Sequence, residues 1–268
     1  MPIGVDIHGH VGLIELRDPP HNFLSVEQVR EIADVLDGFA TNMDVRAAVL
    51  MAEGKSFCAG ANFGSSRSTT QRSGAPEGAS TPAESGTGGR PEDLYAQAAR
   101  LCEAEIPWIA AVHGPAIGGG LGLAMTATMR VTCPEARFAA NFVKLGIHQG
   151  FGLSVTLPEL IGPSRAALVL LSGRRFKGDE ATELGMADVC VAQEHVRDTA
   201  MEIAAEVGSG APLAIRAINA TLRAGLGDRV REATRHEAAE QARLFTTEDA
   251  REGMRSVGER REGNFVGR

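Results

Sequence analysis

A chain of 268 residues can bury a full core in one large domain, or in a domain with a helical appendage. Its 27 Lys and Arg against 34 Asp and Glu give a formal charge of −7, which excludes the basic footprint of a nucleic-acid binder. The longest apolar runs, such as Ile109 to Val112, are too short to span a bilayer, and the first residues show no secretory leader, so a cytoplasmic protein without a membrane partner is expected.

Val5 to Leu16 alternates about His8-Gly9-His10 and predicts a β-hairpin. The two histidines have no third ligand nearby, so a polar turn is expected there and no metal. After the loop Arg17 to Asn22, Ser25 and Gln28 form a capping box ahead of a helix from Val26 to Phe39. Ala47 to Met51 reads as a buried strand leading into Lys55-Ser56-Phe57-Cys58-Ala59-Gly60-Ala61-Asn62. Gly64 to Arg90 is rich in Ser, Thr, Gly, Ala and Pro without apolar periodicity and reads as a mobile loop. A helix resumes from Pro91 to Glu105 and carries Leu94 and Tyr95.

The run Trp108 to Val112 predicts a second buried strand, followed by the glycine cluster Gly118-Gly119-Gly120-Leu121-Gly122 and a helix through Met125. Strand, glycine turn and helix leave unpaired N–H groups with the positive dipole end behind them, a place for a phosphate or a forming oxyanion. Close helix–sheet packing would demand the same glycines. The cluster does not fit G-x-G-x-x-G, because Met125 stands where the last glycine would be, so a nucleotide-dependent oxidoreductase is not expected. Short strands follow over Met129 to Thr132 and Arg137 to Phe142, then a glycine-rich turn from Val143 to Gly152. Helices are predicted over 153–160, 163–171, 199–207, 213–224, 230–245 and 247–257. Cys58, Cys102, Cys133 and Cys190 show no pairing rhythm and read as reduced, mostly buried small hydrophobes.

The stretches Phe57-Cys58-Ala59-Gly60-Ala61-Asn62 and His113-Gly114-Pro115-Ala116-Ile117-Gly118-Gly119-Gly120 together resemble the F-x-A-G-A-D and N/H-G-x-A-x-G-G-G signatures of the enoyl-CoA hydratase/isomerase (crotonase) superfamily. The resemblance covers almost the whole chain. It implies an α/β fold of the ClpP/crotonase type: a spiral of β-β-α repeats over 1–195 and a helical region over 196–268 that packs in a homotrimer or dimer of trimers. It implies an acyl-CoA substrate, no further cofactor, and an oxyanion hole from the N–H groups of Ala61 and Gly119. Substrate contacts are implied for His21, Phe23, Ala59, Asn62, Phe63, Gly118, Gly122, Phe142 and Leu145. In the same way, residues 64–90 become a lid over the acyl pocket, Phe176 to Val189 a strand, an Asp-capped helix and a return strand, and Glu237, Gln241 and Glu248-Asp249 match the family's E-x-x-x-Q and E-D pairs.

The chain departs from that pattern where it matters most. The family's two hydratase glutamates align with Gly122 and Phe142, neither of which moves a proton. Each positioned proton-transfer group is worth about 10²–10⁴-fold, so little hydratase activity is expected. His148 is the first alternative acid/base candidate, with loop ordering as its plain reading. His113 reads as structural, and Glu92, Asp93 and Tyr95 are placed where they could swing over the pocket. Two functions stay open: an enzyme with a non-standard proton shuttle, and a non-catalytic acyl-CoA-binding protein.

Overall fold

The computed structural model describes residues 3–61 and 91–268, with side chains in the second part from Asp93 onward. The expected loop over 64–90, with Asn62 and Phe63, lies outside the described residues.

The expected hairpin forms from β1 (Ile3–His8) and β2 (Val11–Leu16), with His8 opposite Val11. Its histidines serve the turn: His10 Nδ1 meets the Asp44 carbonyl at 2.8 Å and His8 pairs with Asp6. Helix α1 (Val26–Thr41) starts where expected, the Ser25 hydroxyl accepting the Gln28 N–H (3.1 Å). The reciprocal half of the capping box is absent, since Gln28 Oε1 is buried without a partner among the described residues. Strands β3 (Ala47–Ala52) and β4 (Trp108–Val112) are buried at every position, as parallel strands covered on both faces must be. They lie in a six-stranded sheet of order β1-β2-β3-β4-β6-β9, with β6 (Met129–Thr132) and β9 (Val189–Cys190) at its far end.

A second, three-stranded sheet holds β5 (Ala116–Ile117), β7 (Arg137–Ala139) and β8 (Phe176–Lys177). Strand, short strand and helix recur along the chain as β4, β5 and α3 (Gly119–Thr126), then β6, β7 and α4 (Leu153–Ile161). This is the β-β-α spiral. Helix α2 (Pro91–Cys102) precedes β4, and α5 (Pro163–Ser172) follows α4 after Gly162. The strand expected to run through Phe142 stops at Ala139, because its partner there is Ile117, the last residue of β5. Asn141–Leu145 winds into a 3₁₀ turn instead. Helix α6 (Gly178–Leu184) is not capped by an aspartate: Lys177 is the N-cap and its N–H donates to Glu180 Oε2 (2.7 Å), while Asp179 sits in the first turn.

Helix α7 (Val196–Gly208) is seated on β3, β4 and β6, with Val196, Ala200 and Ala204 in the main core. The expected boundary at 195 therefore falls ahead of a helix that belongs to the sheet's packing. Helices α8 (Pro212–Leu222), α9 (Leu226–Leu244) and α10 (Glu248–Glu259) follow, α9 packing on α2 and α4, and α10 on the 3₁₀ turn.

Candidate functional site

Two glycine-bearing segments meet at the start of α3. Cys58 bridges Ala116 in the parallel sense, its N–H donating to the Pro115 carbonyl (3.1 Å) while its carbonyl accepts from Ile117 (3.0 Å). From the other side Leu24 donates to the Gly60 carbonyl (2.9 Å) and Ala59 to the His21 carbonyl (3.0 Å). Gly60 takes φ +78°, and a Cβ on it would lie 2.6 Å from the Ile117 oxygen and 3.4 Å from the Gly119 nitrogen, so only glycine fits this crossing. Gly118, the N-cap of α3, turns the chain with φ +56° and ψ −117°. It donates to the Ala139 carbonyl (2.8 Å) and accepts from Gly122 (3.1 Å).

Gly119 is consequently the first residue of α3, and its N–H is one that the helix itself does not use. Among the described residues no acceptor takes the N–H of Gly119 or of Ala61, and both residues are half-buried. A glycine N-cap brings no side-chain oxygen to compete for these donors, and the helix dipole adds positive potential. Such a place can hold a carbonyl oxygen that gains negative charge in a reaction.

The remaining expected contacts divide. His21 and Phe23 pack edge to face (5.6 Å between rings) beside this crossing, with Ala59 next to them. Between them, Asn22 is fully buried at φ +49°. Its Oδ1 accepts from Asp18 (2.9 Å) and its Nδ2 donates to the Glu53 (2.7 Å) and Ser56 (2.8 Å) carbonyls, so it ties the loop to the end of β3. Leu145 is turned toward Ala250 of α10. The His113 ring meets the Gly54 carbonyl (3.0 Å), a structural contact. His148 Nδ1 is held by the Gln149 carbonyl (2.8 Å) and its ring stands edge-on to His236 of α9 at 5.7 Å. Tyr95 does not swing: it is buried, and its hydroxyl donates to Gln241 Oε1 (2.5 Å).

Around Gly122 and Phe142 the structure holds hydrocarbon. The Phe142 ring comes within 3.7 Å of a Cβ built on Gly118. A Cβ on Gly122 would lie 2.6 to 2.8 Å from Cβ, Cγ and Cδ1 of Phe151, which therefore fills the space that a side chain at 122 would need. Phe151 was not singled out by sequence reasoning. Its one signal is a bulky residue between two glycines, Gly150 and Gly152.

Behind this wall Glu237 and Gln241, the pair that matches E-x-x-x-Q, enter a buried polar network whose other partners are mostly backbone groups, which leave no mark in the sequence. Glu237 of α9 accepts from Gly152 (2.9 Å) and Ser154 (3.0 Å), replacing the cap that Gly152 cannot give α4. Gln241 Nε2 donates to the His148 carbonyl (2.8 Å). Burial, then the Glu237 charge, push the Tyr95 phenol above its usual range, so it stays protonated.

Comparison with known proteins points to one family and one fold. The family described as enoyl-CoA hydratase/isomerase matches residues 6–268. A crotonyl-CoA hydratase of Syntrophomonas wolfei is 32% identical over 247 residues, 91% of this chain and 90% of that protein. A carnitinyl-CoA dehydratase of Citrobacter koseri is 31% identical over 97% of each chain. In fold, the chain matches the crystal structure of an enoyl-CoA hydratase/isomerase from Pseudoalteromonas atlantica with a TM-score of 0.82 at 24% identity, covering 99% of this chain and all of that one.

Proposed function

The chain belongs to the enoyl-CoA hydratase/isomerase family, and from that premise we propose that it binds an acyl-CoA thioester with the carbonyl oxygen between the N–H groups of Ala61 and Gly119. The supporting observation is the meeting of Gly60–Ala61 with the first turn of α3, two donors on separate segments with no acceptor among the described residues. Charge that develops on the thioester oxygen as an enolate forms is stabilised there, a single such donor being worth about 10²–10³-fold.

The chemistry open to that enolate differs from hydration. With Gly122 and Phe142 at the two glutamate positions, no carboxylate there activates water or protonates Cα. His148 is the proton carrier we assign for testing: Nδ1 is engaged by the Gln149 carbonyl, which leaves Nε2 as the basic nitrogen. The reading takes the protein to be cytoplasmic and a homotrimer or dimer of trimers, whose size light scattering measures directly.

The test pairs wild type with His148→Ala on enoyl-, hydroxyacyl- and β-ketoacyl-CoAs across pH, with thermal shift reporting binding. We expect binding, hydration of crotonyl-CoA no faster than background, and turnover of another thioester that His148→Ala lowers at least tenfold. A robust wild-type hydratase rate overturns the glutamate argument. Binding without turnover across the panel makes this an acyl-CoA-binding protein. Turnover indifferent to His148→Ala returns that histidine to loop ordering.

A further inference from the structure

A cavity of about 510 Å³ lies between the loop that joins α2 to β4 and helix α8, at the end of α3 remote from Gly119. Ala104, Ala217, Ala220 and Ala224 give it a lining of small apolar side chains. Its polar wall is a single face of α8: Arg216, Asn219 and the C-cap residue Arg223 follow at spacings of three and four, and all three line the cavity.

The protein leaves the hydrogen bonding of that face incomplete. Arg216 Nε and Asn219 Oδ1 are buried without a partner among the described residues. Asn219 Nδ2 is spent on the Ala104 (2.9 Å) and Glu105 (3.1 Å) carbonyls. Arg223 spends Nε and Nη2 on carbonyls, and its Nη1 takes no acceptor among the described residues.

The charges are unbalanced in the same direction. Arg223 is half-buried and has no carboxylate partner among the described residues. Burial first, and the charge of Arg130 with it, lower its pKa from the ordinary value. The two carboxylates of the wall do not answer that charge. Glu103 is paired with Arg231, and Glu105, 72% exposed, comes no nearer to Arg216 than 3.8 Å. A guanidinium withdrawn from water without an anion is costly, and its planar fork donates to both oxygens of one carboxylate. An inorganic anion would leave the alanines uncovered, whereas cavities of this size hold organic ligands.

We propose that this cavity is a second binding site, for a small aliphatic carboxylate: the carboxylate meets Arg223 Nη1, Arg216 supplies the second positive charge, and the short chain lies on the alanines. The site stands apart from the acyl-CoA reading, because none of its residues belongs to the crossing of Gly60 with Gly119.

Isothermal titration with butyrate, butan-1-ol and inorganic phosphate tests it. Butyrate should bind wild type about tenfold or more tighter than either of the others, since the alcohol lacks the charge and phosphate lacks the chain. Arg216→Gln removes one charge, and Ala220→Leu fills the space from an exposed helical position. Each should weaken butyrate about tenfold while Tm stays within about 2 °C of wild type. By NMR, butyrate should shift the amides of Ala217, Ala220 and Ala224 and leave that of Gly119 in place. No butyrate binding by wild type overturns the proposal, as does phosphate or butan-1-ol binding as tightly. So does an affinity that both variants retain, or a set of shifts confined to the crossing at Gly60 and Gly119. Thioester binding decides the acyl-CoA reading separately, whichever way butyrate behaves.

Discussion

The two ends of α3 are finished in opposite ways. At its N-terminus, Gly118, Gly119 and Gly120 bring no side chains, and the first N–H groups of the helix face the crossing with Gly60. About 12 Å away, at eight residues of 1.5 Å each, the C-terminus is held by two guanidiniums, that of buried Arg130 and that of half-buried Arg223. Arg130 Nη1 donates to the Ala127 carbonyl (2.9 Å), and Arg223 Nη2 to the Thr126 carbonyl (2.7 Å). Arg223 also reaches the end of α2 through the Cys102 (3.1 Å) and Leu101 (3.4 Å) carbonyls. Arg130 is paired with Asp188 at 3.0 Å. Every helix has orphan groups at both ends. Here the orphan carbonyls are met by fixed cations, which the dipole favours, and the orphan donors are left to whatever enters the site. The difference teaches where this fold puts rigidity and where it keeps bonding capacity in reserve.

The largest break in that contrast should come from Gly120→Ala. A Cβ at 120 overlaps the Cys58 carbonyl oxygen and lies 2.7 Å from its carbon, and backbone on both sides leaves little room to give. We expect urea denaturation to show a loss of about 3 kcal/mol, and thioester binding to go with it. A variant as stable as wild type would mean that the near end tolerates side chains and that its glycines are incidental.

Arg223→Met comes next. It keeps much of the stem's packing but strands the carbonyls of Cys102 and Thr126, at a cost of about 2 kcal/mol, while the Leu101 carbonyl keeps the Trp108 indole N–H. Because the open donors lie at the other end, acyl-CoA affinity should stay within about twofold. A tenfold change in Kd would show that the far end also sets the geometry of the near one.

The sequence makes the near end legible and hides what surrounds it. β4 can be read to the residue, since an all-apolar run between Pro107 and His113 fits a covered parallel strand. The glycines of the first turn of α3 are readable because their chemistry is local. β5 is not, because two residues between Pro115 and Gly118 carry no periodicity. Phe142 reads as strand, since the early end of β7 depends on a partner elsewhere in the chain, β5, which ends at Ile117. Phe151 is far along the chain from the glycine it covers, and a positive φ leaves no mark in a side-chain pattern. The role of Arg223 is hidden for a related reason: its partners are all carbonyls, which every residue has.

A smaller effect compares the two ends through their thiols. Cys58 at the near end and Cys102 at the far end are both pushed up to about 12 by burial, Cys102 in spite of the Arg223 charge beside it. At pH 8 the thiolate fraction of each is then about 10⁻⁴. Mass spectrometry after hours of native iodoacetamide treatment should find both unmodified, and both modified once the chain is unfolded. Labelling of Cys58 alone within minutes would show that the near end opens while the far end stays shut.

The smallest effect concerns how the near end's outer wall is fastened. Phe142 lies in the 3₁₀ turn on which α10 packs, and Gly253 of α10 lies against the Leu145 carbonyl. The chain after α10 is tied back to that helix by Glu252, which pairs with Arg261 and accepts the Asn264 N–H (3.1 Å). Arg261 first, then the Asn264 amide, hold the Glu252 carboxyl down at about 2, against an ordinary 4.5. A carboxylate with a depressed folded value stabilises the fold fully above its unfolded value, and that contribution fades as pH falls from about 4.5 to about 2. Arg261 is exposed and Glu252 half-buried at the surface, where salt screens the pair, so the effect is local. The guanidiniums at the far end stay charged throughout this range. Acid should therefore loosen the near end's fastening and leave the far end held. Followed by NMR, the Asn264 amide should titrate with a midpoint near 2, and Glu252→Gln should abolish that step without moving the Thr126 and Ala127 region. A midpoint near the ordinary value of 4.5 would mean that the Glu252–Arg261 tie does not hold in solution.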